Sequence, residues 1–207
     1  MTGKPSGLSL TNSKGAQNHR ALDYYPTPGN VTTALMEFLD LARDMEIWEP
    51  ACGDGAMSRA LEKYAKKVIS TEIRNDGGYG LGGVDFLETT ELLAPVVITN
   101  PPFNASEDFI RHAIGDLNAE VVCLLLKSQY WHSSKRLQLF REFTPRYVLP
   151  LTWRPDFLPQ EMIEKIEAEK GGRKSSPTME VAWSVWMAPH YEVTEYIPLQ
   201  KPVKDNN

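Results

Sequence analysis

The sequence predicts an α/β fold: a mostly parallel, doubly wound sheet with one antiparallel strand near the C-terminus. Three observations carry this. Short apolar β-branched runs alternate with amphipathic segments at helical spacing, the pattern of a parallel sheet covered by helices on both faces. Two turn glycines follow the first run and an acidic residue closes the second, which is the nucleotide-cradling βαβ order. The run Val96-Val97-Ile98-Thr99 stops at Asn100-Pro101-Pro102-Phe103. Proline lacks a backbone N–H and fixes φ, so the chain leaves the sheet there in a stiff turn.

Residues 1–20 mix Gly, Ser, Asn, Thr and Lys with few apolar side chains and predict a disordered arm. The stiff segment Tyr24-Tyr25-Pro26-Thr27-Pro28 leads into a helix over Val31–Arg43, with Leu35, Met36, Phe38, Leu39 and Ala42 on one face. Met45–Glu49 reads as a strand running into Pro50-Ala51-Cys52-Gly53-Asp54-Gly55, and Ala56–Lys66 as a helix. Val68–Glu72 reads as the second strand. From Gly55 to Glu72 is 72 − 55 = 17 residues, close to the ~20 at which an acid meets ribose hydroxyls in nucleotide folds. The glycine-rich stretch 74–83 predicts a mobile loop, and Val84–Leu87 a short strand end. Beyond Phe103, Ser106–Leu117 predicts a helix with Ser106 as N-cap. Glu120–Lys127 predicts a buried strand, Ser133–Phe143 a helix and Arg146–Leu151 a strand. Trp153–Pro177 combines loop, a charged helix over Gln160–Lys170 and a basic flexible end. Met179–Met187 closes the sheet as the reversed strand, with Trp183 and Trp186 on opposite faces. The domain therefore spans 21–197, with 153–178 as an insertion and 198–207 as a flexible tail.

Composition narrows the function classes. The formal charge is −5, from 22 basic against 27 acidic residues, which argues against tight non-specific DNA binding without excluding a local basic groove. No apolar run approaches the ~18–20 residues of a membrane span. The N-terminus has no apolar signal region. Cys52 and Cys123 read as reduced thiols of a cytoplasmic protein, no cluster has metal-ligand spacing, and the four scattered histidines read as surface residues.

Asn100 and Phe103 present an amide and a ring rigidly at the C-terminal edge of a strand, where ligands bind in open α/β sheets. That pair suits a flat heterocycle bearing an amino group. Glu49-Pro50-Ala51-Cys52-Gly53-Asp54-Gly55 and Asn100-Pro101-Pro102-Phe103, 100 − 55 = 45 residues apart in that order, resemble two motifs of the class I S-adenosylmethionine-dependent methyltransferases. The subgroup they resemble is the amino methyltransferases that modify adenine N6. Asp23–Pro28 is similar to the segment before the glycine motif in that group, and Val181–Trp186 to the last strand of its small phage- and plasmid-borne members.

The resemblance covers about residues 21–190 and implies a Rossmann-like methyltransferase fold, S-adenosylmethionine as cofactor and DNA as substrate. It implies Tyr25, Thr27 and Pro28 beside the cofactor's methionine end, with Glu49, Pro50, Ala51, Gly53 and Gly55 lining methionine and ribose. Glu72 would hold the ribose hydroxyls and Ile73 would lie beside the adenine. Asp85 would bond the adenine amino group and Phe86 would stack on the ring. Asn100 and the Pro101 carbonyl would accept bonds from the substrate amino group; Pro102 stiffens the turn and Phe103 would stack on the base. Tyr130 and Trp131 wall the substrate side or merely cover the core. Arg154, Arg173 and Lys174 contact phosphates or belong to a solvated face. RNA adenine, a protein glutamine amide, and a non-catalytic binding module are the competing readings. Nothing follows the last strand that would form a separate target-recognition domain, and the oligomeric state is left open.

Overall fold

The computed structural model describes residues 26–157, 168, 179–189 and 193–203. Tyr25, Arg173, Lys174, the arm 1–20 and the charged helix expected over Gln160–Lys170 (Ala168 apart) lie outside them. The described residues form one eight-stranded sheet in the order β3-β2-β1-β4-β5-β7-β6-β8. Strands β1 (Glu46–Glu49), β2 (Lys67–Glu72), β4 (Val96–Thr99) and β5 (Val121–Lys127) are neighbours in parallel. Strand β7 (Val181–Met187) lies antiparallel between β5 and β6 (Tyr147–Pro150). It is the one reversed strand, so the sheet is the mostly parallel, doubly wound type.

Both faces of the central strands are buried, which is why those strands read as continuous apolar runs. Successive side chains point to opposite faces. On one face, Ile47, Val96, Ile98, Val121, Cys123 and Trp183 pack under helices α1 (Gly29–Leu39) and α2 (Ala56–Leu61). On the other, Trp48, Val97, Val122, Leu124 and Trp186 pack under α3 (Ser106–Ile110), its continuation, and α4 (Leu137–Glu142). Each buried indole must bond its N–H to be tolerated there. Trp48 donates to Thr71 Oγ1, Trp183 to the Val31 carbonyl and Trp186 to the Phe143 carbonyl.

Several elements differ from the sequence reading. Helix α1 stops at Leu39 because Asp40 adopts a left-handed cap, φ 45°. Helix α2 ends at Leu61 rather than Lys66. The glycine-rich stretch 74–83 is a built element: β3 (Leu81–Gly82) pairs in parallel with β2. Val84–Leu87 is no strand end; Phe86–Glu88 is a 3₁₀ turn that Asp85 caps by accepting the Leu87 N–H at 3.1 Å. Ser106 is not the N-cap of α3. Its hydroxyl donates to the Pro102 and Phe103 carbonyls instead. The helix then widens into π geometry over Arg111–Asp116. There His112 is buried, not on the surface, between Asp116 and Thr89. Past Pro198 the chain is still anchored. Leu199 is buried, bridges to Leu151, and follows β8 (Glu195–Tyr196), which pairs with β6. Phe157 lies in a loop as expected, and its side chain joins the core.

Candidate active site

The chain order reverses between β1 and β4, the switch point at which an open α/β sheet leaves a crevice. A cleft lies there, over the C-terminal ends of β1, β2 and β4. Glu49, Pro50 and Ala51 supply its wall from β1, and Glu72 and Ile73 from β2. Asp85 and Phe86 close one side. Asn100, Pro101, Pro102 and Phe103 form the other, next to Thr27. The glycine turn and the Pro-Pro turn, far apart in sequence, thus face one space.

Glu72 is a firmly held carboxylate of the cleft. Its Oε2 accepts the Gly53 N–H at 2.8 Å. Its Oε1 accepts the Arg74 backbone N–H at 3.1 Å and the Arg74 Nε–H at 3.3 Å. A carboxylate offers about four acceptor sites; these bonds take three, so the arrangement orients Glu72 and leaves about one for a ligand hydroxyl. Gly53 thereby acts through Glu72; it does not itself line the cleft.

Glu49 is buried beneath the same wall. Burial pushes its pKa up to about 8, and the nearby charges of Asp54 and Glu72 push the same way. The Ser58 hydroxyl donates to its Oε2 and offsets part of this. Near neutral pH Glu49 is therefore mostly a protonated acid. The Ser58 hydroxyl also lies 2.7 Å from that of Ser70, so the buried polar groups form one chain. Cys52 lines the cleft too, but its Sγ–H donates to the Tyr79 carbonyl at 2.9 Å. Burial raises that thiol to about 12, which keeps it from acting as a thiolate nucleophile.

Gly55 also makes a contact that its motif does not suggest. Its φ is +79°, and a Cβ there would come within 2.2 Å of Cγ of the Tyr79 ring. The ring is seated on the glycine, its hydroxyl donates to Glu62 at 2.5 Å, and the Arg59 guanidinium lies 5.0 Å from its centroid. Tyr79 clasps the 74–83 segment onto the glycine turn. Gly55→Ala is expected to destabilise the fold by about 1–3 kcal/mol, from left-handed strain and loss of this seat. Urea midpoints measure it. In a double-mutant cycle with Tyr79→Ala the costs should fall short of additive, and strict additivity would separate the two residues.

At the other end, Asn100 Nδ2 donates to Thr27 Oγ1 at 3.1 Å. That bond uses the donor side of the amide and orients its acceptor oxygen. Phe86, expected to stack on a ligand ring, is almost wholly buried as the cleft floor. It packs against Trp48, Phe109 and His112 at centroid distances of 5.1, 4.7 and 5.0 Å. Pro28 precedes α1 and lies outside the cleft lining.

The described outer residues, Tyr130, Trp131 and Arg154, are not part of the cleft lining. Tyr130 is buried edge-on to Trp131 at 4.9 Å, and Trp131 donates to Ser184 Oγ while packing on Phe140 and Trp186. Both cover the core. Arg154 forms an exposed ion pair with Glu180. Two residues that the motif reading passed over do matter to the geometry: Tyr79, and Lys127, whose ammonium lies 4.2 Å from the Phe103 centroid. The signal for Lys127 was present, since it ends an apolar strand at the same sheet edge as Asn100. Among the described residues no group of His, Cys, Asp and Glu is arranged to hold a metal, and no helix is long and apolar enough to cross a membrane.

No family model matches the sequence, and no curated protein matches it. Solved structures do resemble the fold. A type I restriction-modification methyltransferase subunit from Streptococcus thermophilus aligns over 92% of this chain and 53% of its own, with TM-score 0.58 and 14% identity. A protein assigned as a class I S-adenosylmethionine-dependent methyltransferase from Listeria monocytogenes aligns over 86% and 66%, with TM-score 0.55 and 12% identity. A dimethyladenosine transferase from Plasmodium falciparum aligns over 78% and 61%, with TM-score 0.52 and 15% identity. The chain spans about half the length of the first of these and less than two thirds of the other two. At such identities the likeness concerns architecture, and the architecture is the Rossmann-like fold of the class I methyltransferases.

Proposed function

We propose that the protein transfers a methyl group from S-adenosylmethionine to an amino group, with adenine N6 in DNA as the substrate. The observation that carries this reading is the shared cleft, in which the Glu72 carboxylate and the Asn100–Phe103 turn face one space from the strands on either side of β1. The residues present fit such a cofactor. The bond from Gly53 together with those from Arg74 fixes the Glu72 carboxylate in the cleft lining, an acid suited to a ribose hydroxyl. Ile73 and Asp85 would border its adenine, and Glu49 its methionine end. The cofactor supplies an activated methyl group on a sulfonium.

The chain's own residues supply position and polarity. An aromatic amine is a weak nucleophile because its lone pair is delocalised into the ring. The Asn100 Oδ1 and the Pro101 carbonyl accept its two N–H bonds, which localises the lone pair on nitrogen. Thr27 holds the Asn100 amide in the orientation this requires. Pro101 and Pro102 keep both acceptors fixed, so little reorganisation accompanies reaction. Phe103 stacks on the base. A base in a duplex is flipped out at a cost of a few kcal/mol, and stacking returns about 1–3 kcal/mol of it.

The test is transfer of radiolabel from the cofactor to unmethylated DNA, to RNA and to protein extract, each offered separately. Label in DNA, recovered as N6-methyladenine, is the expected result. Label confined to RNA or protein replaces the substrate while keeping the chemistry. Cofactor binding with no transfer to any of the three overturns the reading in favour of a binding module.

A further inference from the structure

Lys127 is the last residue of β5 and the one exposed position in that strand. β5 lies directly beside β4, so Lys127 emerges at the sheet edge next to the Pro-Pro turn. Its ammonium rests over the Phe103 ring, 4.2 Å from the centroid. Arg136 at this end of the sheet lies over the Tyr130 ring and donates to the Tyr130 carbonyl, and two other arginines there are held by acids. Arg74 pairs with Glu72 and Asp76, and Arg154 with Glu180. Among the described residues no carboxylate lies within ion-pair distance of Lys127.

We propose that Lys127 positions a nucleotide substrate: its ammonium covers a face of Phe103 until the target base takes that face, and it then pairs with the nucleotide's phosphate. This rests on the reading that Phe103 stacks on the substrate base. An aromatic face accepts one partner at a time, and magnitudes decide which one stays. An exposed cation–π contact is worth about two- to fivefold in affinity. Stacking of a base is worth about five- to 150-fold. The base therefore displaces the ammonium.

Lysine carries its charge as a point on a flexible stem, so it can swing aside without leaving the site. A nucleotide brings an anion one sugar away from its base, and the displaced ammonium meets it there. A glutamine side chain brings neither a large π face nor an anion. The arrangement thus favours a nucleotide polymer over a protein amide. It also supplies a local cation to a chain whose net charge of −5 would repel a strand.

The test compares adenosine with adenosine monophosphate by NMR titration, with the cofactor end saturated by S-adenosylhomocysteine. Wild type should prefer the monophosphate by about two- to fivefold, the worth of an exposed ion pair. Lys127→Gln should lose that preference while binding adenosine as well as wild type or up to about fivefold more tightly, because the competing cation is gone. Lys127→Arg should restore the preference. An unchanged preference in the Gln variant overturns the proposal, and so does equal loss for both ligands, which would mean that Lys127 only props Phe103. If either result accompanies N6-methylation of DNA by the wild type, only the role of Lys127 falls. Failure of the wild type to bind either ligand removes the stacking reading and this inference together.

Discussion

Replacing Asn100 by alanine is expected to lower the rate of methyl transfer by about 100- to 1000-fold, the loss typical of one preorganised polar group at a reacting centre. The amide has two tasks. Its donor side is fixed by Thr27 Oγ1 at 3.1 Å, and in the proposed reaction its acceptor oxygen would polarise the substrate amine. Alanine removes both. Single-turnover measurements with saturating labelled cofactor isolate this from binding, because the ribose end of the cleft is built on a different strand. Glu72→Ala should divide the other way. It removes the anion to which Gly53 and Arg74 donate. It should therefore raise the cofactor Kd by at least about tenfold, the worth of a single hydrogen bond to a charged group, with a smaller effect on the rate at saturation. An Asn100→Ala enzyme that keeps most of the wild-type rate would take Asn100 out of the chemistry. An unchanged Kd in Glu72→Ala would take Glu72 out of the ribose role.

Strand placement and the site-bearing turns were legible in the sequence for a physical reason. A strand buried on both faces must be apolar throughout, so Val96–Thr99 and Val121–Leu126 stand out against any surrounding pattern. Two consecutive prolines can only end such a strand, and that fixed where Asn100 would emerge. What escaped detection depends on contacts that local pattern does not encode. Gly55 reads as a cofactor glycine by motif, yet the space its missing Cβ leaves is filled by Tyr79 from a later loop. The segment 74–83 reads as mobile because glycine is locally permissive. Tertiary pairing to β2 makes its Leu81–Gly82 end an edge strand, with Gly80 passing so close to Ser70 that a Cβ would meet its carbonyl oxygen at 2.5 Å. Tyr130 and Trp131 sit after a strand in the position of pocket aromatics. Only the three-dimensional neighbourhood of Trp186 and Phe140 shows Trp131 turned inward. Leu199 is one apolar residue in a polar tail, and its burial against Leu151 needs β6 to exist first.

Glu49 is expected to make the stability of the ligand-free protein fall as pH rises from about 4.5 to about 8. The unfolded chain loses this proton near the ordinary carboxylate value of about 4.5, whereas the folded chain holds it to about 8, chiefly because the carboxyl is buried. Between those limits folding takes up a proton. Stability then declines with pH by at most about 1.4 kcal/mol per unit from this group, and is flat on either side of the window. Glu49→Gln keeps the volume and an oxygen that can accept the Ser58 hydroxyl, but it cannot ionise. Urea midpoints at pH 5, 7 and 9 should therefore show wild type losing ground against the Gln variant as pH rises. A difference that is constant with pH would mean that Glu49 is ionised throughout and that the Ser58 contact, not burial, governs it. The same group should couple to the cofactor. A cationic amine brought to this end of the cleft favours the carboxylate, so binding near pH 7 releases a proton and the affinity rises with pH toward about 8. Calorimetric titration in two buffers of different ionisation enthalpy reads that proton directly. In Glu49→Gln the buffer dependence should vanish even where binding persists, which separates the proton's origin from the strength of the complex.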